Sequence, residues 1–184
     1  SVLSIVLFCF LLVNNVIERG DFQIFNNTII IDYLSFSSKT WIAITSIFCF
    51  LMSQRYINIQ KINFFEYSIL ILFALLGIFF ICSSNDLITA YLAIELQSLS
   101  FYIMAAMKKD SAFSVDAGLK YFILGAFSSS LFLLGSSFIY GTIGATNFED
   151  CKDLFFYIYP EVSSFELSQV LNINLLQFGF IFVT

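Results

Sequence analysis

Three apolar stretches, at about residues 64–83, 87–107 and 115–140, follow one another with little more than Ser84-Asn85-Asp86 and Lys108-Lys109-Asp110 to separate them. A run of about 20 apolar residues is what a helix needs to cross the ~30 Å hydrocarbon core of a bilayer, and a core helix of a soluble domain is shorter and polar on one side. Further apolar runs lie at about 2–16, 37–53 and 171–184. Composition leaves no soluble alternative. The chain is 59% apolar and 11% charged, where soluble domains average about 45–50% and about 25%. Too little polar material exists to cover a water-facing surface, so the chain must face membrane lipids and other subunits. The predicted fold is an all-α transmembrane helical bundle, a single membrane domain over residues 1–184. One stretch departs from the helical pattern. Asn26-Asn27, flanked by β-favouring residues at 22–25 and 28–31, predicts a small β-hairpin outside the bilayer, with the Asn pair as its turn.

Charges orient the bundle. If successive spans alternate, Arg55, Lys61, Lys108 and Lys109 fall on one side in two short loops, and Arg19, Lys39 and Lys152 fall on the other among most of the acids. The positive-inside rule puts the first side, and the N-terminus with it, in the matrix or cytoplasm, and the hairpin opposite. The chain has no His, which excludes His-ligated haem or metal and a catalytic imidazole. Cys9, Cys49, Cys82 and Cys151 stand far apart, three of them inside apolar runs, and read as small hydrophobes. A net charge of −5 spread over loops gives no footprint for nucleic acid. No Arg- and Ser-rich presequence is visible. The heavy use of Phe, Ile and Asn resembles the codon drift of an AT-rich organelle genome, which points to an organelle-encoded membrane protein.

Glu95 is the most informative residue, because it sits in the middle of the 87–107 run. A charge at that depth costs between about 3 and 10 kcal/mol unless it is paired, protonated or lining water. Tyr91, Glu95, Ser98 and Tyr102 recur at helical spacing and share one face, which could hold a file of water beside the carboxylate. Desolvation favours the neutral form of a mid-membrane carboxylate and a nearby cation favours the charged form, so a cation that moves could make it take up and release a proton. The competing reading is a hydrogen bond to a neighbouring helix. Lys120 enters the next span from the basic loop. Snorkelling to the interface, an i, i+4 ion pair with Asp116, or a titratable relay are all open to it. Helical rise puts it about 9 Å deep and Glu95 about 18 Å, too far to touch but close enough for bridging water. The small residues Gly118, Gly125, Ser128, Ser129 and Gly135 read first as close helix packing, with hydroxyls such as Ser128 available to a water path. Lys39, Glu66 and Asp86 read as ordinary interface residues.

The stretch from Asp86-Leu87-Ile88-Thr89-Ala90-Tyr91-Leu92-Ala93-Ile94-Glu95 to Leu99, then Asp116-Ala117-Gly118-Leu119-Lys120-Tyr121-Phe122 to Ser129, and the ending Tyr140-Gly141-Thr142-Ile143-Gly144, resemble the antiporter-like subunit 2 of mitochondrial respiratory complex I, subunit N of the bacterial enzyme. About 80 residues carry the likeness. The resemblance implies a fold of two inverted five-helix repeats, present here in part. It also implies that Glu95 faces a lysine on a broken helix and drives proton translocation, and that Lys120 belongs to the central hydrophilic axis. By the same resemblance this chain holds no cofactor, and NADH, FMN, iron–sulfur clusters and ubiquinone belong to partner subunits in the mitochondrial inner membrane. Asp116 stands where the family has Glu. The family's glutamate lies on its fifth helix and here on the fourth run, so the first family helix is expected to be missing. The broken-helix lysine and the Pro-Phe-His motif do not occur, which implies a second polypeptide that completes the fold. An Mrp-like cation/proton antiporter subunit and a non-pumping membrane scaffold are the competing expectations.

Overall fold

The structure, a computed structural model, describes residues 22–60 and 64–152 together with Gly179, Ile181 and Val183. The run read at 2–16 and most of that at 171–184 lie outside the described residues. An antiparallel ribbon of β1 (Phe22–Ile24) and β2 (Ile29–Ile31) is followed by α1 (Tyr33–Gln60), α2 (Phe64–Ile81), α3 (Leu87–Ala105) and α4 (Ala112–Ile143). By length and composition α1, α3 and α4 can each cross a membrane, and α2 is a shorter apolar helix. The expected helical bundle with its small ribbon is therefore the observed fold. Runs such as Ile69-Leu70-Ile71 would suit a strand in water, but in hydrocarbon a helix pairs every backbone group within itself.

Two helices outrun their apolar stretches. α1 has 28 residues and α4 has 32, about 42 and 48 Å at 1.5 Å per residue. The surplus turns of α1 carry Tyr33, Arg55 and Gln60, side chains that suit the interface. Gly144 stops α4 in a left-handed conformation (φ 77°), its N–H donating to the Tyr140 carbonyl at 2.8 Å. The ribbon pairs Ile24 with Ile29, so its loop is Phe25 to Thr28 and not a two-residue Asn26-Asn27 turn. Phe25, Asn26 and Asn27 all have positive φ (54°, 58° and 65°). Asn tolerates that region, whereas Phe25 is held there at a cost. The Phe25 carbonyl accepts from the Thr28 N–H at 3.3 Å and the Thr28 hydroxyl at 2.9 Å.

Loop contacts sort into two ends. At one, the Ile30 N–H donates to Ser83 O and the Asn85 N–H to Thr28 O, both at 2.9 Å. The Asn85 side-chain amide donates to Asn27 O and to Asn147 Oδ1, both at 3.0 Å. Hairpin, α2–α3 turn and the loop after α4 thus form one polar cap. At the other end Lys108 Nζ donates to Gln60 Oε1 at 2.7 Å, and Lys109 stands 4.0 Å from Glu66. Successive helices therefore alternate in direction, and Arg55, Lys108 and Lys109 share the end away from the hairpin.

Close packing centres on α3. A Cβ on Gly77 of α2 would lie 2.8 Å from the Gln97 amide nitrogen and 2.9 Å from the Ala93 carbonyl oxygen, so α2 and α3 touch backbone to backbone. Ala43, Leu75 and Phe79 join α1 to α2, and Leu87, Ile139 and Cys151 pack the polar-cap end of α4. A Cβ on Gly179 would meet Ile139 Cγ1 at 2.8 Å and the Gly135 carbonyl oxygen at 3.0 Å, which seats Gly179 against α4.

Candidate proton site

Glu95 lies eight residues from the start of α3 and ten from its end, about 12 and 15 Å along the axis. It is half-buried. On one side of α3, Ala93, Gln97 and Ser100 turn toward α2, where Ala93 and Ser100 are buried. The opposite side, which carries Tyr91, Glu95, Ser98 and Tyr102, turns toward α4. Tyr91 stacks on Phe132 with ring centroids 6.0 Å apart. Tyr102 meets Tyr121 edge-on at 4.8 Å and Phe122 edge-on at 5.7 Å, and its hydroxyl lies directly over Gly125. Glu95 is thus held in a seam between two antiparallel helices. Interpolation between these contacts sets it level with Ser128 and Ser129.

Several polar groups of the seam are already engaged. The Ser98 hydroxyl donates to the Glu95 backbone carbonyl at 3.0 Å, and that of Ser129 to Ala126 O at 3.1 Å. Each keeps lone pairs that can accept from water or from a protonated carboxyl. Among the described residues no cation or hydrogen-bond donor reaches the Glu95 carboxylate. The arrangement sets one ionisable side chain at mid-helix among apolar rings and serine hydroxyls.

Lys120 does not stand beside Glu95 in this structure. Its ammonium pairs with Asp116 Oδ2 at 2.6 Å, with the two side chains 71% and 59% exposed. Gly118, Phe122, Gly125 and Phe132 mark the α3-facing side of α4. Lys120 is turned about 200° from Gly118, on the outward side. The sequence places Asp116 and Lys120 together, and the structure pairs them, but it does not bring them to Glu95. Ser128 is exposed at the edge of the seam, whereas Ser129, half-buried, faces α3. Ser129 and Gly125 are the seam residues that sequence reasoning left as packing. Their i, i+4 and i, i+7 spacing with Phe122, Gly118 and Phe132 was the available signal. Asp86, read as an ordinary interface residue, is 7% exposed at the N-cap of α3, and its Oδ1 has no partner among the described residues. In the same cap, burial pushes the Cys151 thiol above the usual cysteine range, and the nearby Asp150 and Asp86 carboxylates push it further.

Residues 84–184, which hold α3, Glu95 and α4, match the family described as NADH:quinone oxidoreductase/Mrp antiporter, TM. NADH-ubiquinone oxidoreductase chain 2 of Marchantia polymorpha is 46% identical over 129 residues, 70% of this chain and 26% of that protein. NADH-quinone oxidoreductase subunit N of Maricaulis maris is 42% identical over 131 residues, 71% of this chain and 27% of that one. The chain thus spans about a quarter of the length of these curated relatives. Among solved structures, a chain of the membrane-bound sulfane sulfur reductase, an archaeal respiratory membrane complex, superposes with a TM-score of 0.72 at 21% identity, covering 99% of this chain and 36% of that one. A chain of respiratory complex I from Thermus thermophilus gives 0.60 at 22% identity, covering 97% and 37%. These two likenesses speak for the fold alone. The chain belongs to the NADH:quinone oxidoreductase/Mrp antiporter transmembrane family.

Proposed function

We propose that this chain is part of the proton-translocating, antiporter-like subunit 2 of respiratory complex I in the mitochondrial inner membrane. The observation that carries the reading is Glu95, an ionisable group at mid-helix in an apolar seam, with no cation beside it among the described residues. Such a site exchanges a proton when a cation approaches or withdraws. NADH, FMN, iron–sulfur clusters and ubiquinone belong to partner subunits, and their reaction supplies the work. Moving one proton charge against 100 mV costs about 2.3 kcal/mol. The basic end, with Lys108 and Lys109, faces the matrix, and the hairpin faces the intermembrane space.

The same reading assigns a partner. The Asp116–Lys120 pair stands on the outward side of a membrane-spanning helix, where lipid would solvate it poorly. Further parts of the family fold and neighbouring membrane-arm subunits cover that face and bring a cation opposite Glu95. An Mrp-like cation/proton antiporter shares the same family description and is the alternative. The relatives named above, called NADH oxidoreductase subunits, favour complex I. The test is mass-spectrometric sequencing of everything that co-purifies with this chain in mild detergent. Complex I membrane-arm subunits are expected. Recovery with antiporter subunits only would replace complex I by the alternative.

A further inference from the structure

We infer that the Tyr102 ring is the gate that closes Glu95 off from the basic end of the bundle, an inference that rests on the proton role proposed for Glu95. A carboxylate that moves protons across a membrane must not be open to both sides at once. The α3–α4 seam around Glu95 is bounded in both directions by aromatic contacts, and only one of the two is tight. Toward the polar cap there is one offset stack, Tyr91 on Phe132 at 6.0 Å, and Tyr91 remains partly exposed. Toward the basic end Tyr102 is 8% exposed, is gripped edge-on by Tyr121 at 4.8 Å and Phe122 at 5.7 Å, and rests its hydroxyl on Gly125. The tighter closure faces the basic end.

What lies behind that closure gives it a purpose. A cavity of about 600 Å³ between α2, α3 and α4 has Tyr102, Ile103 and Phe122 among its walls, and the Glu66–Lys109 pair at its loop end. It leads from the basic surface to the Tyr102 ring. Glu95 lies seven residues further along α3, about 10 Å on. The Tyr102 ring therefore stands between that cavity and the stretch of seam that leads to Glu95. An apolar constriction of this kind stops a water file by excluding water, and opens when the side chain changes rotamer. Gly125 makes the closed position possible, because a Cβ there would collide with the Tyr102 hydroxyl and ring. Tyr102 and Gly125 are positioning residues, and Glu95 is the group they isolate.

The test uses the whole complex in proteoliposomes carrying an entrapped pH dye, without turnover. Passive proton permeability is expected to rise several-fold in Tyr102→Ala, which removes the ring, and in Gly125→Ala, which displaces it. Tyr102→Phe, which restores the ring, should bring the permeability back down, and adding Glu95→Gln to Tyr102→Ala should abolish the leak. Wild-type permeability in assembled Tyr102→Ala and Gly125→Ala complexes would overturn the gate, as would a leak that survives Glu95→Gln. Should Tyr102→Ala fail to assemble, Gly125→Ala alone decides. A wrong gate leaves the effect of Glu95→Gln on pumping intact, whereas a wrong proton role is seen as unchanged pumping in that single variant.

Discussion

Single residues carry most of the specificity of this bundle. Glu95 was legible because a lone carboxylate in the centre of an apolar run has few uses, and its spacing from Tyr91, Ser98 and Tyr102 defines one face. The outward turn of Lys120 was not legible, since spacing on α4 fixes its neighbour Asp116 but not which side of α4 meets α3. The same ambiguity separated exposed Ser128 from Ser129 in the seam. Gly77 read only as one apolar position in a run, and the structure gives it a task. Its Cβ would lie 2.8–2.9 Å from backbone atoms of Gln97 and Ala93, which cannot rotate away. Gly77→Ala should therefore force α2 off α3 and cost about 1–3 kcal/mol, measurable as a lower thermal inactivation midpoint of the purified complex. Cys151 offers a pH readout. Its thiol is raised first by burial and then by Asp150 and Asp86, so it stays protonated to higher pH than a free cysteine and alkylates slowly at neutral pH. Asp86→Asn removes one of the raising charges, so the pH midpoint of alkylation should move down. An unchanged midpoint would remove Asp86 as a cause.

At the scale of elements, the helices were readable from hydropathy and the ribbon from its Asn pair, but the loop of the ribbon was not. Its four-residue length and the positive φ of Phe25 follow from where β2 docks, with the Ile30 N–H on Ser83 O and the Asn85 N–H on Thr28 O. These are contacts between segments more than fifty residues apart, invisible to local pattern. Asn85 is the centre of that cap, 8% exposed, with its amide on both Asn27 O and Asn147 Oδ1. Asn85→Ala removes two hydrogen bonds to part-buried acceptors, at a cost of about 1–3 kcal/mol. The expected outcome is faster proteolytic cleavage within Phe25–Thr28 of the intact complex, with α3 and α4 unaffected. Cleavage at the wild-type rate would mean that backbone contacts alone hold the hairpin.

At the scale of the whole molecule, charge in the sequence foretold the two-ended arrangement in which Arg55, Lys108 and Lys109 gather opposite the hairpin. Among the described residues no cation stands beside Glu95, and the Asp116–Lys120 ion pair points outward. Pumping is therefore expected to be a property of the assembled complex, with this chain contributing the carboxylate and its seam. The most direct measurement is the number of protons translocated per NADH oxidised by reconstituted complex carrying Glu95→Gln, set beside the wild-type complex at equal subunit content. A fall in that ratio, or a loss of coupled turnover, with assembly intact is the expected result. A wild-type ratio at a wild-type rate would contradict the central claim and leave this chain a structural member of the membrane arm.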